Sequence, residues 1–180
     1  MSVICFNIEN DRTSVVADGR VLYGHKIARE DEKKIKLIGD SIILGVTGLV
    51  DSKDVFFNYA DLTYNTDDGV NEICDKTSAL RFMNNFKDHL VTNFSYTNEE
   101  SFSELGGFLI LIKGLFHGVF FFDDKGKPYC TLDESECGAI GSAGDYVSAL
   151  MDYGVTMEDA IKFAAKKDCS INDNLFKITI

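Results

Sequence analysis

The sequence predicts an α+β chain in which two β-sheets lie face to face with helices on both outer sides, a four-layer αββα sandwich. Three observations lead there. Strand-like segments bounded by turn residues fill nearly all of the first 46 residues. The pattern then changes to that of amphipathic helices across Gly48 to Leu62 and Ser78 to Phe94. The succession then repeats, with strands from Phe108 onward and two short helices before a last strand. Two sheet blocks and two helix pairs, each with one apolar face, bury those faces best when stacked helix, sheet, sheet, helix. A chain of 180 residues supports one core and a single domain, 1–180.

Taken in order, Ser2 to Glu9 reads as a strand with Val3 and Cys5 on one face and Ile4, Phe6 and Ile8 on the other. Asn10-Asp11-Arg12 supplies a turn, and Thr13 to Asp18 returns as the hairpin partner. Gly19 interrupts the alternation, Val21 to Gly24 is a short extended piece, and the polar residues His25 to Asp31 read as a loop. Lys33 to Ile38 and Ser41 to Val46 make a second hairpin about Gly39-Asp40.

Val50, Val55, Phe56, Tyr59 and Leu62 form the first helical stripe, and Thr63 to Asp75 is polar and loop-like. Thr77 or Ser78 caps the second helix, whose stripe is Leu80, Phe82, Met83, Phe86, Leu90 and Phe94. Asn98 to Glu104 is an acidic connector. Strands return at Phe108 to Ile112 and Leu115 to Phe122, and Asp123-Asp124-Lys125-Gly126 turns the chain into Pro128 to Leu132. The small residues of Cys137 to Gly144 suit a strand-to-helix junction before a helix at Tyr146 to Tyr153. Thr156 caps another that runs to about Lys167 and buries Met157, Ala160, Ile161 and Ala164, and Asn174 to Ile180 is the closing strand.

Composition removes several classes of function. A hydrophobic content of 45% with 26% charged residues is that of a water-soluble globular chain. No apolar run reaches the ~18 residues that span a bilayer, since Lys113 and His117 break the longest candidate, Gly106 to Phe122. Met1 is followed by neither a basic segment nor a sustained apolar one, so no signal peptide is expected. A net charge of -11 opposes binding to nucleic-acid phosphates. Five cysteines, odd in number and without a CxxC pair, fit neither a zinc knuckle nor a disulfide framework, and with the missing leader they imply a reducing, cytoplasmic setting. His25, His89 and His117 show no metal-ligand spacing.

The chemistry-bearing residues gather near the start. Removal of Met1, favoured by a small second residue, would leave Ser2 with a hydroxyl and a free α-amine. An α-amine has a pKa of roughly 7.7–8.0, so it is partly neutral and can serve as base for its own hydroxyl. Asp18 ends an apolar strand, where it either terminates the strand or pairs with a cation. Alternation puts Lys33 and Lys34 on opposite faces, so one of them points inward, and a buried Lys34 would hold its charge through Asp18. Gly48, between a strand and a helix, can offer its backbone N–H to an oxyanion. Gly141-Ser142-Ala143-Gly144 sits at a similar junction, but it is not a G-x-S-x-G nucleophile elbow.

These pieces in this order resemble the proteasome β-type subunits, and more closely the bacterial HslV (ClpQ) peptidases, both within the N-terminal nucleophile (Ntn) hydrolases. The resemblance covers essentially the whole chain. With Ser2 counted as the first mature residue, Asp18, Lys34 and Gly48 fall where the family has its catalytic aspartate, catalytic lysine and oxyanion glycine. Ala17-Asp18-Gly19 matches an A-D-G string, Lys33-Lys34-Ile35 a K-K-V string, and Ile140-Gly141-Ser142-Ala143-Gly144 an I-G-S-G-G string. That places Ser142 beside the terminal amine, and Lys167-Asp168-Cys169-Ser170 resembles a segment whose aspartate, here Asp168, orients that serine.

The resemblance implies a peptidase that acts through an acyl-enzyme on Ser2, with a primary specificity pocket shaped by Val21, Val46 and Val50 and favouring apolar or small side chains. It implies no required cofactor. A monovalent cation such as sodium would sit on the backbone carbonyls of Lys167, Ser170 and Asp173. The implied partners are identical subunits in stacked rings, an AAA+ unfoldase ATPase and unfolded protein substrates, without nucleic acid or membrane.

The sequence departs from the pattern in places. Serine stands where the family usually has threonine, Ala143 replaces a glycine, and Ile171 occupies the place of a second serine, which leaves open whether Ser170 substitutes. No extension precedes the first strand, which disfavours the noncatalytic α-type ring subunits. Two other readings remain: a catalytically silent assembly or binding subunit that retains Met1, and a different amidase of the same superfamily.

Overall fold

The computed structural model describes residues 2–9, 12–23, 25–94, 96, 102 and 104–180, the side chain of Val50 excepted. The expected turn at Asn10-Asp11, Gly24 of the short extended piece, and most of the acidic connector Asn98 to Glu104 lie outside the described residues.

The first hairpin comprises β1 (Val3–Glu9) and β2 (Arg12–Asp18), antiparallel with Ile4 opposite Ala17. A short ribbon follows, β3 (Val21–Tyr23) and β4 (Lys26–Arg29), and then β5 (Ile35–Ile38) and β6 (Ile42–Val46). Next come α1 (Val50–Leu62) and α2 (Lys76–Phe94), then β7 (Phe108–Ile112), β8 (Phe116–Phe122), β9 (Pro128–Thr131) and β10 (Cys137–Gly141). The chain closes with α3 (Gly144–Asp152), α4 (Met157–Ala165) and β11 (Leu175–Thr179). Two larger sheets result, with strand orders β10-β1-β2-β11 and β5-β6-β7-β8-β9, every pairing antiparallel.

Three cores hold these elements, and side-chain alternation decides which residue enters which. The odd positions Val3 and Cys5 of β1, with Val16, pack against Val147, Ala160, Ile161 and Ala164 of α3 and α4. The even positions Ile4 and Phe6, with Val15 and Ala17, meet Ile35, Ile43, Leu109 and Val119 of the five-stranded sheet. The other face of that sheet buries Leu44, Phe108 and Phe120 against Phe56, Phe82 and Phe86 of α1 and α2. Ring edges meet ring faces here: Phe56 and Phe86 are T-shaped with centroids 5.0 Å apart, a geometry that adds to plain burial. The five cysteines carry free thiols.

Several local expectations are corrected. The expected loop from His25 to Asp31 contains β4, whose four residues are all exposed; a strand that buries neither side leaves no apolar alternation to read. Lys33 and Lys34 precede β5 rather than open it. Leu62 and Phe94, placed in the buried stripes by the sequence, are the last residues of their helices and are exposed. Inside the polar stretch Thr63 to Asp75 a 3₁₀ turn at Val70–Glu72 buries Val70 and Ile73. The cap of α2 is neither Thr77 nor Ser78: the Ser78 amide donates to Asp75 Oδ1 at 2.7 Å, so Asp75 takes that role.

Thr156 does cap α4, accepting the Asp159 amide at 3.2 Å. Thr156→Ala leaves that N–H without its protein acceptor and is expected to cost about 1 kcal/mol. A urea titration checks this as a lowered midpoint at unchanged slope.

Candidate active site

The hairpin and the second sheet meet at the chain's start. In the antiparallel register of β1 and β2, the residue ahead of Ile4 faces the residue after Ala17, so Asp18 arrives beside Val3. The Val3 amide donates to Asp18 Oδ1 at 2.8 Å and the Arg20 amide to Oδ2 at 3.0 Å. From the other sheet, Lys34 comes across the seam and donates through Nζ to Asp18 Oδ1 at 2.7 Å and to the Arg20 carbonyl at 2.7 Å. Asp18 is fully buried and Lys34 is 5% exposed. Burial pushes the Lys34 ammonium below its ordinary value, with Asp18 opposing the shift. The Lys34 main chain is fixed as well, its carbonyl accepting the Val46 amide at 3.0 Å.

Ser2 is buried at the head of β1. Its carbonyl accepts the Ser142 amide at 2.9 Å, and the turn that permits this needs Gly141. Gly141 has φ +104, and a β-carbon there would stand 1.9 Å from the Ser2 carbonyl oxygen. Ser142 Oγ donates to Asp168 Oδ2 at 3.2 Å and lies 3.2 Å from Ser170 Oγ, while the Ser170 amide and hydroxyl donate to Asp168 Oδ1 at 2.8 and 2.5 Å. Burial works to raise the Asp168 carboxyl, but the donors on Ser170 and Ser142 outweigh it and hold the group below its usual range.

Gly48 follows β6 with φ +108, and a β-carbon there would meet the Leu105 carbonyl at 2.5 Å, so both backbone angle and space demand glycine. Thr47 pins the turn, donating its N–H to the Gly107 carbonyl at 2.9 Å and accepting the Gly107 amide on Oγ1 at 3.1 Å. Among the described residues no protein group accepts the Gly48 N–H. Ser2 and Gly48 line two cavities at once. One, of ≈ 120 Å³, also has Val21, Lys34 and Val46 on its walls. The other, of ≈ 680 Å³, runs past Gly106, Phe121 and Leu132 to Ser142.

No family model matches this sequence, and no curated protein does. Solved structures do match. Eukaryotic HslV from Trypanosoma brucei superposes with a TM-score of 0.69 at 14% identity over 98% of both chains. BPH from Thiobacillus denitrificans gives 0.70 at 16% identity over 99% of this chain and 97% of that one, and has also been solved in complex with epoxomicin. A mutant of Anbu from Hyphomicrobium gives 0.69 at 16% identity over 99% of this chain and 80% of that one. The chain has the HslV fold.

In this HslV fold, Ser2, Asp18, Lys34, Gly48, Ser142 and Asp168 come from three separate regions of sequence and converge at one end of the seam between the sheets. Val21 and Val46 share the smaller cavity. The side chain of Val50 and all of Met1 lie outside the described residues. Lys167, Ser170 and Asp173 follow α4, and among the described residues no protein donor reaches their carbonyl oxygens.

Other participants escaped the sequence reading. Asn172 is buried, accepts the Gly19 amide on Oδ1 at 2.9 Å and donates to the Glu30 carbonyl at 2.8 Å, clamping the segment that carries Asp18. Glu32 and Lys53 line the smaller cavity together with its valines. Period-two alternation would have found Glu32, two residues before the inward Lys34. Lys53 gave no such signal, because a lysine one turn into an amphipathic helix ordinarily faces water.

Proposed function

We propose that this four-layer αββα domain is an N-terminal-nucleophile peptidase that cleaves amide bonds with Ser2 once Met1 is removed. The observation that carries the reading is the buried Asp18–Lys34 pair at the wall of the cavity shared with Ser2, its carboxylate tied to the amide of the residue after Ser2. Burying two charges costs several kcal/mol per ion, and apolar residues would fill the place at less expense. A charged pair retained beside a serine and a cavity suits a task that needs its field.

In the proposed reaction the Ser2 hydroxyl attacks the scissile carbonyl carbon, and the Ser2 α-amine, through a water, takes the hydroxyl proton. The Lys34 ammonium lowers the energy of the developing negative charge, Asp18 keeps that ammonium charged and in place, and the Gly48 N–H receives the oxyanion, a contribution of roughly 2.7–4 kcal/mol for such donors. The carbon–nitrogen bond then breaks, the leaving amine recovers the proton, and water hydrolyses the ester to free Ser2 and release the acid. Ser142 and Asp168 orient the amine. A monovalent cation on the carbonyls of Lys167, Ser170 and Asp173 would brace the Asp168 segment. Identical subunits in stacked rings and an AAA+ unfoldase are the partners this reading implies, with unfolded protein as substrate in the cytoplasm. Among the described residues no helix is long and apolar enough to cross a membrane.

Two measurements test the proposal. Intact mass is expected to lack one methionine, and that material is expected to hydrolyse fluorogenic peptides; retained Met1 together with no turnover would leave a silent subunit of the same fold. The pH profile of kcat/KM is expected to rise with deprotonation of the α-amine near pH ~7.7–8.0 and fall again as Lys34 discharges. Because burial lowers the Lys34 pKa, the falling limb comes at a pH below the ordinary lysine value of 10.5. Stability moves oppositely in that window: the unfolded chain binds more protons there, so the cost of burying the charge, fully present below the folded pKa, is relieved as pH rises. An alkaline limb that coincides with unfolding would contradict this assignment.

A further inference from the structure

The smaller cavity is not the apolar slot that Val21 and Val46 alone would make. Glu32 and Lys53 form an ion pair on its wall, with side chains 11% and 9% exposed. Glu32 reaches the pair from the segment before β5 and Lys53 from the first turn of α1, so the pair spans two elements that flank Ser2's neighbours Lys34 and Gly48. Each partner is only partly satisfied. Glu32 Oε2 accepts from Arg29 at 2.6 Å and Oε1 from Lys53, which leaves acceptor capacity on both oxygens. Lys53 also reaches Asp54 at 3.1 Å, and among the described residues no third acceptor takes its remaining N–H donor.

We infer that this pair makes the cavity select a short uncharged side chain that both donates and accepts, a carboxamide, on the residue whose carbonyl Ser2 attacks. The inference rests on the function proposed above and names its substrate class. An amide side chain complements an ion pair: its NH₂ donates to Glu32 while its carbonyl accepts from Lys53. The cavity of ≈ 120 Å³ is several times the ~10–15 Å³ that admits one water, so it has room for a side chain of several heavy atoms. An aliphatic group of that size would strip water from the spare donor and acceptors and return nothing. The wall charges are already paired, Arg20 with Glu30, Lys34 with Asp18 and Lys53 with Glu32, so a charged side chain of either sign would be buried there without a counter-charge of its own.

The test is a set of fluorogenic peptides identical except for the residue before the leaving amine, which is Gln, Asn, Leu, Arg or Glu, hydrolysed by the Met1-free protein. The kcat/KM for the better carboxamide is expected to exceed that for leucine by at least about 10-fold, since a site built for hydrogen bonds rejects an analogue lacking them by as much as roughly 10⁴–10⁵. The double variant Glu32→Gln with Lys53→Met is expected to bring the carboxamide-to-leucine ratio down by about the same factor. Leucine, arginine or glutamate preferred by the unmodified protein would overturn the inference while leaving the peptidase reading intact. An unchanged ratio in the double variant would overturn it too. If no peptide of the set is cleaved, the peptidase reading itself fails and this inference with it, an outcome separated from the others by the absence of any preference.

Discussion

Ser2→Ala is expected to abolish peptide hydrolysis while leaving the fold and its stability nearly unchanged. The substitution removes one hydroxyl from a residue whose structural attachments are made by its main chain: its carbonyl holds the Ser142 amide, and the following amide holds Asp18. Alanine preserves both bonds, and it keeps the small second residue that favours removal of Met1. Nothing else at the site can replace the lost atom. Ser142 Oγ is engaged with Asp168 and Ser170, and Lys34 Nζ is engaged with Asp18 and the Arg20 carbonyl. Removing a nucleophile from a hydrolase with this logic lowers kcat by roughly 10⁶-fold. The check pairs initial rates on a fluorogenic peptide with a thermal melt. Turnover retained in the alanine variant would take the nucleophile's role from Ser2, and a collapse of the melt would show that the loss of activity was loss of structure.

The sequence carried the architecture more plainly than it carried the working surface of the site. Short apolar runs in Val3 to Ile8 and in Ser41 to Val46 announced strands because each buries opposite faces against different layers, and the phenylalanine stripe of α2 announced a helix. β4 was invisible because a strand that buries neither side has no period. At the site, Asp18, Lys34 and Gly48 drew notice through local chemistry: a carboxylate ending an apolar strand, an inward lysine, a glycine between strand and helix. What local chemistry does not encode is which distant groups complete them. Asn172 lies 153 residues from the Gly19 amide it accepts, and only the docking of β11 on β2 brings the two together. The ionic wall of the smaller cavity was hidden for a related reason. Glu32 shows only through its spacing from Lys34, Lys53 looks like solvated surface until α1 is laid across the end of β6, and three valines suggested a pocket simpler than the one the fold builds.

Asp18→Ala is expected to damage stability as well as turnover. The carboxylate stands between three donors, the Val3 amide, the Arg20 amide and Lys34 Nζ, with no access to water. Truncation leaves a buried ammonium without its counter-charge, and breaking such a pair from one side costs about 3–5 kcal/mol, a large share of the ~5–15 kcal/mol that holds a domain together. Asp18→Asn separates the two losses. The amide keeps the shape and one acceptor oxygen for the Val3 N–H, but it cannot balance Lys34, so the ammonium gives up its proton at a lower pH and activity falls even where the fold survives. Adding Lys34→Met to Asp18→Asn removes the stranded charge and is expected to recover most of the lost stability, since a buried pair replaced on both sides is often near neutral. It is expected to recover no turnover. Chemical denaturation and peptide hydrolysis on the same three proteins decide the matter. A cost below about 1 kcal/mol for Asp18→Ala would mean that the pair is not coupled as its 2.7 Å contact implies. Activity regained in the doubly neutral protein would mean that the charges beneath Ser2 serve the fold and not the reaction.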